Sequence, residues 1–116
     1  MPVPRHEAKA ELFRTLGHPV RVRILELLSE REHAVHELLA RMATEPSTLS
    51  QQLGVLRRAG IVRQHRICGE VRYSLLAASV PDLLAVARTT LGELLADQAR
   101  LQADLDDEAS AAGEPR

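Results

Sequence analysis

The hydrophobic period of this chain changes at Gly60, and the change limits the folds open to it. Before Gly60, apolar residues recur as Val20, Ile24, Leu27 and Leu28, then Val35, Leu38, Leu39 and Met42, then Leu49, Leu53 and Leu56. These are stripes at helical spacing. After it, Val71, Tyr73 and Leu75 alternate with Arg72 and Ser74, the two-residue period of a strand. Helical spacing then returns, with Leu84, Ala87, Leu91, Leu94, Gln98, Leu101 and Leu105 stepping alternately by 3 and 4 residues. Such an a/d seam suits a helix that packs along a partner helix.

Punctuation residues set the expected boundaries. A first helix over about 7–16 stops at Gly17. His18-Pro19 opens the second, with proline at the tolerated first position, and it ends near Ser29. A third helix covers about 35–43. Thr44-Glu45-Pro46 is a turn, and a fourth helix runs from Pro46 to Ala59, with Gly60 as a left-handed cap. Ile61 to Ile67 and Val71 to Leu75 form a two-stranded hairpin turned at Cys68-Gly69-Glu70. Pro81-Asp82 starts the last helix. The expected fold is mainly α with a small β-hairpin, in the order α-α-α-α-β-β-α. Residues 1–6 read as a flexible arm, 7–105 as one domain and 106–116 as a disordered acidic tail.

Charge is not spread evenly. Residues 46–75 carry five arginines against Glu70 alone, a net +4. Residues 1–45 sum to zero and residues 76–116 to −5. A basic block on one supersecondary unit is the footprint of a nucleic-acid reader. Phe13 and Tyr73 are the only aromatics, too few for the stacking platforms that single strands and RNA require. On a helical wheel, Ser47, Gln51, Gly54 and Arg58 lie opposite the Leu49/Leu53/Leu56 stripe, flanked by Thr48, Ser50 and Val55. Gln suits adenine, and Ser or Thr suits a base or a phosphate. We therefore expect Ser47, Thr48, Ser50, Gln51 and Gln52 on the reading side. Arg57, Arg58, Arg63, His65, Arg66, Arg72 and Tyr73 are expected along the backbone of double-stranded DNA. Gly54 on that outward face would allow close approach of DNA.

The segments LFRTLGHPVRVRILELL (12–28), VHELLARMATEPSTLSQQLGVLRRAGIV (35–62) and VRQHRICGEVRYSL (62–75) together resemble the ArsR/SmtB family of winged-helix repressors. The likeness spans roughly residues 8–100. It implies a homodimer built on the first and last helices, here through Leu12, Phe13, Leu84, Ala87, Leu91, Leu94 and Leu101. It also implies an inverted-repeat operator and release from it by an inducer or a protein co-regulator.

The family's sensor motifs are not matched. The Cys-x-Cys positions of the third helix hold Ala34 and His36. The last helix has Asp82, Glu93 and Asp97 but no histidine, and a second cysteine is missing. The donors on offer to a divalent transition metal such as nickel or zinc are His6, His18, His33, His36 and Cys68. Bland roles compete for each. His33 and His36 read as solvated cap residues, with a site through Glu32 or Glu37 as the alternative. His18 reads as a cap of the second helix and His65 as a phosphate contact. Cys68 reads as an exposed thiol at the hairpin tip, with a redox switch as the alternative. No cofactor is otherwise indicated. Nothing marks an enzyme: there is no Gly-rich phosphate loop, no nucleophile–base pair and no clustered metal triad. The single cysteine, the absence of an apolar leader and the absence of a membrane-length apolar run suit a cytoplasmic protein outside any membrane.

Overall fold

The computed structural model describes residues 2–113. They run in the order α1 (Arg5–Leu16), α2 (Pro19–Glu30), β1 (His33–Ala34), α3 (Val35–Arg41), α4 (Pro46–Arg58), β2 (Val62–Ile67), β3 (Glu70–Leu75) and α5 (Val80–Gly113). Two units are distinguished, one ending at Pro81 and one beginning at Asp82.

The first unit holds the core. Ile24, Leu25, Leu27, Leu38, Leu49, Leu53, Leu56 and Val62 are almost wholly buried, and α2 packs against both α4 and β3. With Leu, Ile and Val supplying this interior, truncating one such side chain typically costs about 2–5 kcal/mol. Helix α2 starts where His18 Nδ1 accepts the Val20 N–H at 3.2 Å, with Pro19 at the first position. Helix α4 likewise starts at Pro46. It ends in a Schellman turn: Gly60 has φ +76°, its N–H reaches the Arg57 carbonyl and the Ile61 N–H reaches the Leu56 carbonyl, both at 3.0 Å.

The sheet has three strands rather than two, in the order β1-β3-β2, all antiparallel. Strand β1 escaped the sequence because two residues cannot display a period. His33 pairs with Tyr73 and Ala34 with Arg72, so the entry to α3 is stitched to the hairpin. The turn is tighter than expected. Ile67 already pairs with Glu70, and Cys68 (φ +52°) and Gly69 (φ +80°) are its two central residues. Positive φ at both is what a type I′ hairpin turn requires, and its twist matches that of the strands.

Helix α3 ends at Arg41, two residues short of the expected 43, and boundaries move at both ends of the chain. Helix α1 begins at Arg5, inside the arm expected over residues 1–6. Helix α5 continues to Gly113, so residues 106–113 of the expected tail are helical, while 114–116 lie outside the described residues. At about 1.5 Å per residue its 34 residues make a rod of roughly 50 Å. Among the described residues no helix is long and apolar enough to cross a membrane.

Candidate nucleic-acid interface

Helix α3, the turn and α4 form the helix-turn-helix, and the β2–β3 hairpin follows as the wing. On α4 the stripe Leu49, Gln52, Leu53, Leu56 is buried, while Ser47, Ser50, Gln51, Arg57 and Arg58 are exposed and Thr48 and Val55 are half-buried. Helix α4 contains no acid at all, and Arg57 and Arg58 occupy its last turn. On the wing, Arg63 and Arg66 are exposed. Their contacts are neutral. Arg57 donates to the Gln64 side chain, Arg63 Nε to Ser74 Oγ at 3.3 Å, and Arg66 Nη1 to the Gly69 carbonyl at 3.1 Å. Among the described residues none of Arg57, Arg58, Arg63 and Arg66 has a carboxylate within ion-pair distance. Four uncompensated guanidiniums beside a row of short polar groups make a surface fitted to a phosphate backbone and the base edges beneath it.

Three residues expected on that surface are engaged elsewhere. Gln52 is 8% exposed, and its Oε1 accepts from Arg21 Nε at 2.7 Å. It sits on the core side because it falls one residue from Leu53 and three from Leu49. Arg72 is the hub of an ion cluster. Its Nε lies 3.2 Å from Glu32 Oε1, its Nη1 2.8 Å from Glu70 Oε2 and its Nη2 3.0 Å from Glu37 Oε1. Those carboxylates hold the guanidinium's pKa above its ordinary value, the Glu70 hydrogen bond most of all. His65, placed opposite Arg72 in the register, turns to the same cluster, with Nε2 2.9 Å from Glu32 Oε2. Neither side chain is free for a phosphate. Tyr73 is half-buried in the central strand between His33 and Gln64.

The cluster also secures α3. Glu37 reaches back from the first turn to accept the Ala34 N–H at 2.9 Å, and its other oxygen takes Arg31 Nη1 at 2.9 Å. The Ala34 N–H, then the Arg31 hydrogen bond, lower the Glu37 pKa from the ordinary 4.5 to about 2. A carboxyl held low in the fold stabilises it fully above about pH 4.5 and loses that contribution as pH falls toward 2. Thermal melts followed by circular dichroism should show this loss over pH 4.5 to 2, and Glu37→Gln should flatten that part of the curve. An unchanged acid limb would remove Glu37 from the account.

The remaining candidates sort by geometry. His33 is wholly buried, not a solvated cap: Nδ1 donates to the Arg31 carbonyl at 2.8 Å and Nε2 has no partner. His36 is exposed with Nδ1 3.3 Å from Glu70 Oε1. His6 is exposed on α1, and Cys68 is an exposed free thiol at the turn. Among the described residues no three His, Cys, Asp or Glu side chains gather as metal ligands would. A Cβ at Gly54 would meet Arg58 Nη1 at 3.1 Å, because the guanidinium folds back over the helix.

What sequence reasoning missed was the Glu32–Glu37–Glu70 triad around Arg72. Its signal was present as three acids and one arginine, but their convergence depends on β1 pairing with β3.

Comparison with known proteins agrees with this geometry. Residues 18–64 match the model of the bacterial regulatory proteins of the arsR family. An uncharacterised HTH-type transcriptional regulator of Mycobacterium tuberculosis, Rv0081, is 50% identical over 103 residues, covering 88% of this chain and 90% of that one. Its crystal structure superposes with a TM-score of 0.76 over 84% of this chain and 99% of the other. The repressor BigR from Xylella fastidiosa superposes with a TM-score of 0.69 at 40% identity, over 74% and 88% of the two chains. The HTH-type transcriptional repressor SmtB of Mycobacterium tuberculosis is 39% identical over 92 residues, covering 74% of this chain and 68% of that one. With the family model matched from α2 into the first wing strand, and nine-tenths of a relative covered at 50% identity, this chain belongs to the arsR family of bacterial regulatory proteins.

Proposed function

We propose that the protein is a transcriptional repressor that binds an inverted-repeat operator as a homodimer in the cytoplasm and leaves it when an inducer or protein co-regulator binds. The observation that carries this reading is the face made by Ser47, Ser50 and Gln51 with Arg57, Arg58, Arg63 and Arg66: exposed and without carboxylate partners among the described residues. Short polar groups near the N-terminus of α4 suit base edges. The arginines suit phosphates on either side.

Dimerisation is supported by apolar surface that a single chain leaves in water. On α1, Leu12 is 41% and Phe13 60% exposed. On α5, Leu91, Leu94, Leu101 and Leu105 are each at least half exposed, and they belong to the seam of alternating 3 and 4 spacing. Leu84 and Ala87 continue that seam toward the start of the helix. Two reading faces set by one two-fold axis call for two half-sites in opposite orientation.

Fluorescence anisotropy against duplexes from the upstream region of its gene, repeated across salt concentrations, tests the reading. Each phosphate neutralised should contribute about −0.9 to the log–log slope, so a dimer using four arginines per chain gives a steep dependence. Light scattering should return twice the 12.8 kDa of the chain. Equal weak binding to every duplex, or a monomeric mass, would overturn the proposal.

A further inference from the structure

Arg21, on α2, differs from the other arginine that is half-buried among the described residues, Arg72. It has no carboxylate within ion-pair distance among the described residues. It spends its donors on two neutral acceptors from two other helices. Nε donates to Gln52 Oε1 on α4 at 2.7 Å, and Nη1 donates to the Thr15 carbonyl in the last turn of α1 at 3.1 Å. The Thr15 carbonyl is one of the four that a helix leaves unpaired at its end. The Gln52 amide is 8% exposed on the helix whose next-door residue, Gln51, points outward.

Leu49, Leu53 and Leu56 bury one stripe of α4 in the core, and the Arg21–Gln52 hydrogen bond adds a directional restraint on the rotation of α4 about its own axis. A rotation of about 20° carries a side-chain tip, roughly 6 Å from the helix axis, through about 2 Å, more than a hydrogen bond to a base tolerates. The Gln52 amide is therefore placed to decide where Gln51 points without touching DNA.

We propose that Arg21 and Gln52 form a positioning clamp that fixes the rotation of the reading helix, anchored to the end of α1, and so sets sequence preference rather than overall affinity. The proposal rests on the reading of α4 as the base-reading helix. Gln52 is a positioning residue, and Gln51 is the reader whose aim it controls.

The test uses the full chain and the strongest-binding duplex selected from a random-sequence pool, with a scrambled duplex of equal length beside it. Anisotropy gives both affinities, and circular dichroism checks the fold of each variant. Gln52→Ala and Arg21→Met should each lower the ratio of selected to scrambled affinity by about tenfold, and the double variant no further, as for two members of one hydrogen-bond network. Affinity for the scrambled duplex should stay within about twofold, since no phosphate contact is removed. Gln52→Glu keeps the acceptor oxygen and offers Arg21 an ion pair, so it should preserve the ratio even if Gln52→Ala folds poorly. Additive losses, or a Gln52→Glu variant as unselective as Gln52→Ala, would show that Gln52 reads a base itself and would overturn the clamp. Equal losses on both duplexes would overturn it as well. A wild-type protein that prefers no duplex in the pool would take down the base-reading assignment along with it.

Discussion

Arg72→Met is expected to lower the melting temperature by several degrees at pH 7, while Arg66→Met leaves it almost unchanged. Both arginines lie on the wing, and both add to the basic block of the sequence. They differ in what they face. Arg66 donates to a turn carbonyl at the exposed tip. Arg72 stands among Glu32, Glu37 and Glu70, all within 3.2 Å of its guanidinium nitrogens. Removing it leaves three carboxylates facing one another, with Arg31, His36 and His65 as their remaining cationic or titratable partners among the described residues. Like charges that lose a shared counter-ion destabilise the fold. The deficit of the variant should shrink on acidification, because protonating the carboxylates relieves their repulsion. DNA binding should divide the same pair in the opposite sense. Arg66→Met weakens binding to every duplex alike and reduces the salt slope by about 1 per phosphate contact, with the fold intact. If Arg72→Met keeps the wild-type melting temperature and merely weakens binding, Arg72 is a phosphate contact after all.

Gln51→Ala is expected to reduce discrimination between the selected and scrambled duplexes by about 1–3 kcal/mol, the range for losing one good bidentate base contact. Gln51 is exposed on the outward face of α4, away from the Leu49, Leu53 and Leu56 stripe. Its removal leaves every arginine of the face in place, so non-specific affinity should persist. An unchanged preference would mean that the base-reading face lies elsewhere on the helix-turn-helix. Together with the arginine variants this separates specification from attachment, two tasks that the surface assigns to different residues.

Most of the helix-turn-helix was legible because it is encoded locally. Pro19 and Pro46 start helices, Gly60 ends one, and the leucine stripes repeat at helical spacing over several turns. The hairpin was legible for the same reason, from alternation and a Cys68-Gly69 turn. Strand β1 was not, because its two residues acquire strand character only through pairing with Tyr73 and Arg72. The far end of α5 was misread because an acidic, small-residue composition resembles that of a solvated tail. Ala109, Ala111 and the acids before them are also acceptable in a helix that exposes them throughout, as far as Ala111.

The site divides along the same line. Sequence alone determined that residues 46–75 would be basic, would fold as helix and hairpin, and would present Ser47 and Gln51 opposite a leucine stripe. These follow from composition and from a periodicity of 3.6 or 2, which a chain carries with it. Only the tertiary structure decided which polar residues remained available. Gln52 went to Arg21, His65 to Glu32, and Arg72 to three glutamates that come from 40 to 2 residues away in the chain. Charge counted along a sequence carries no record of its partners. A polar group buried by its neighbours must find a hydrogen bond, and the fold, not the composition, determines which group answers.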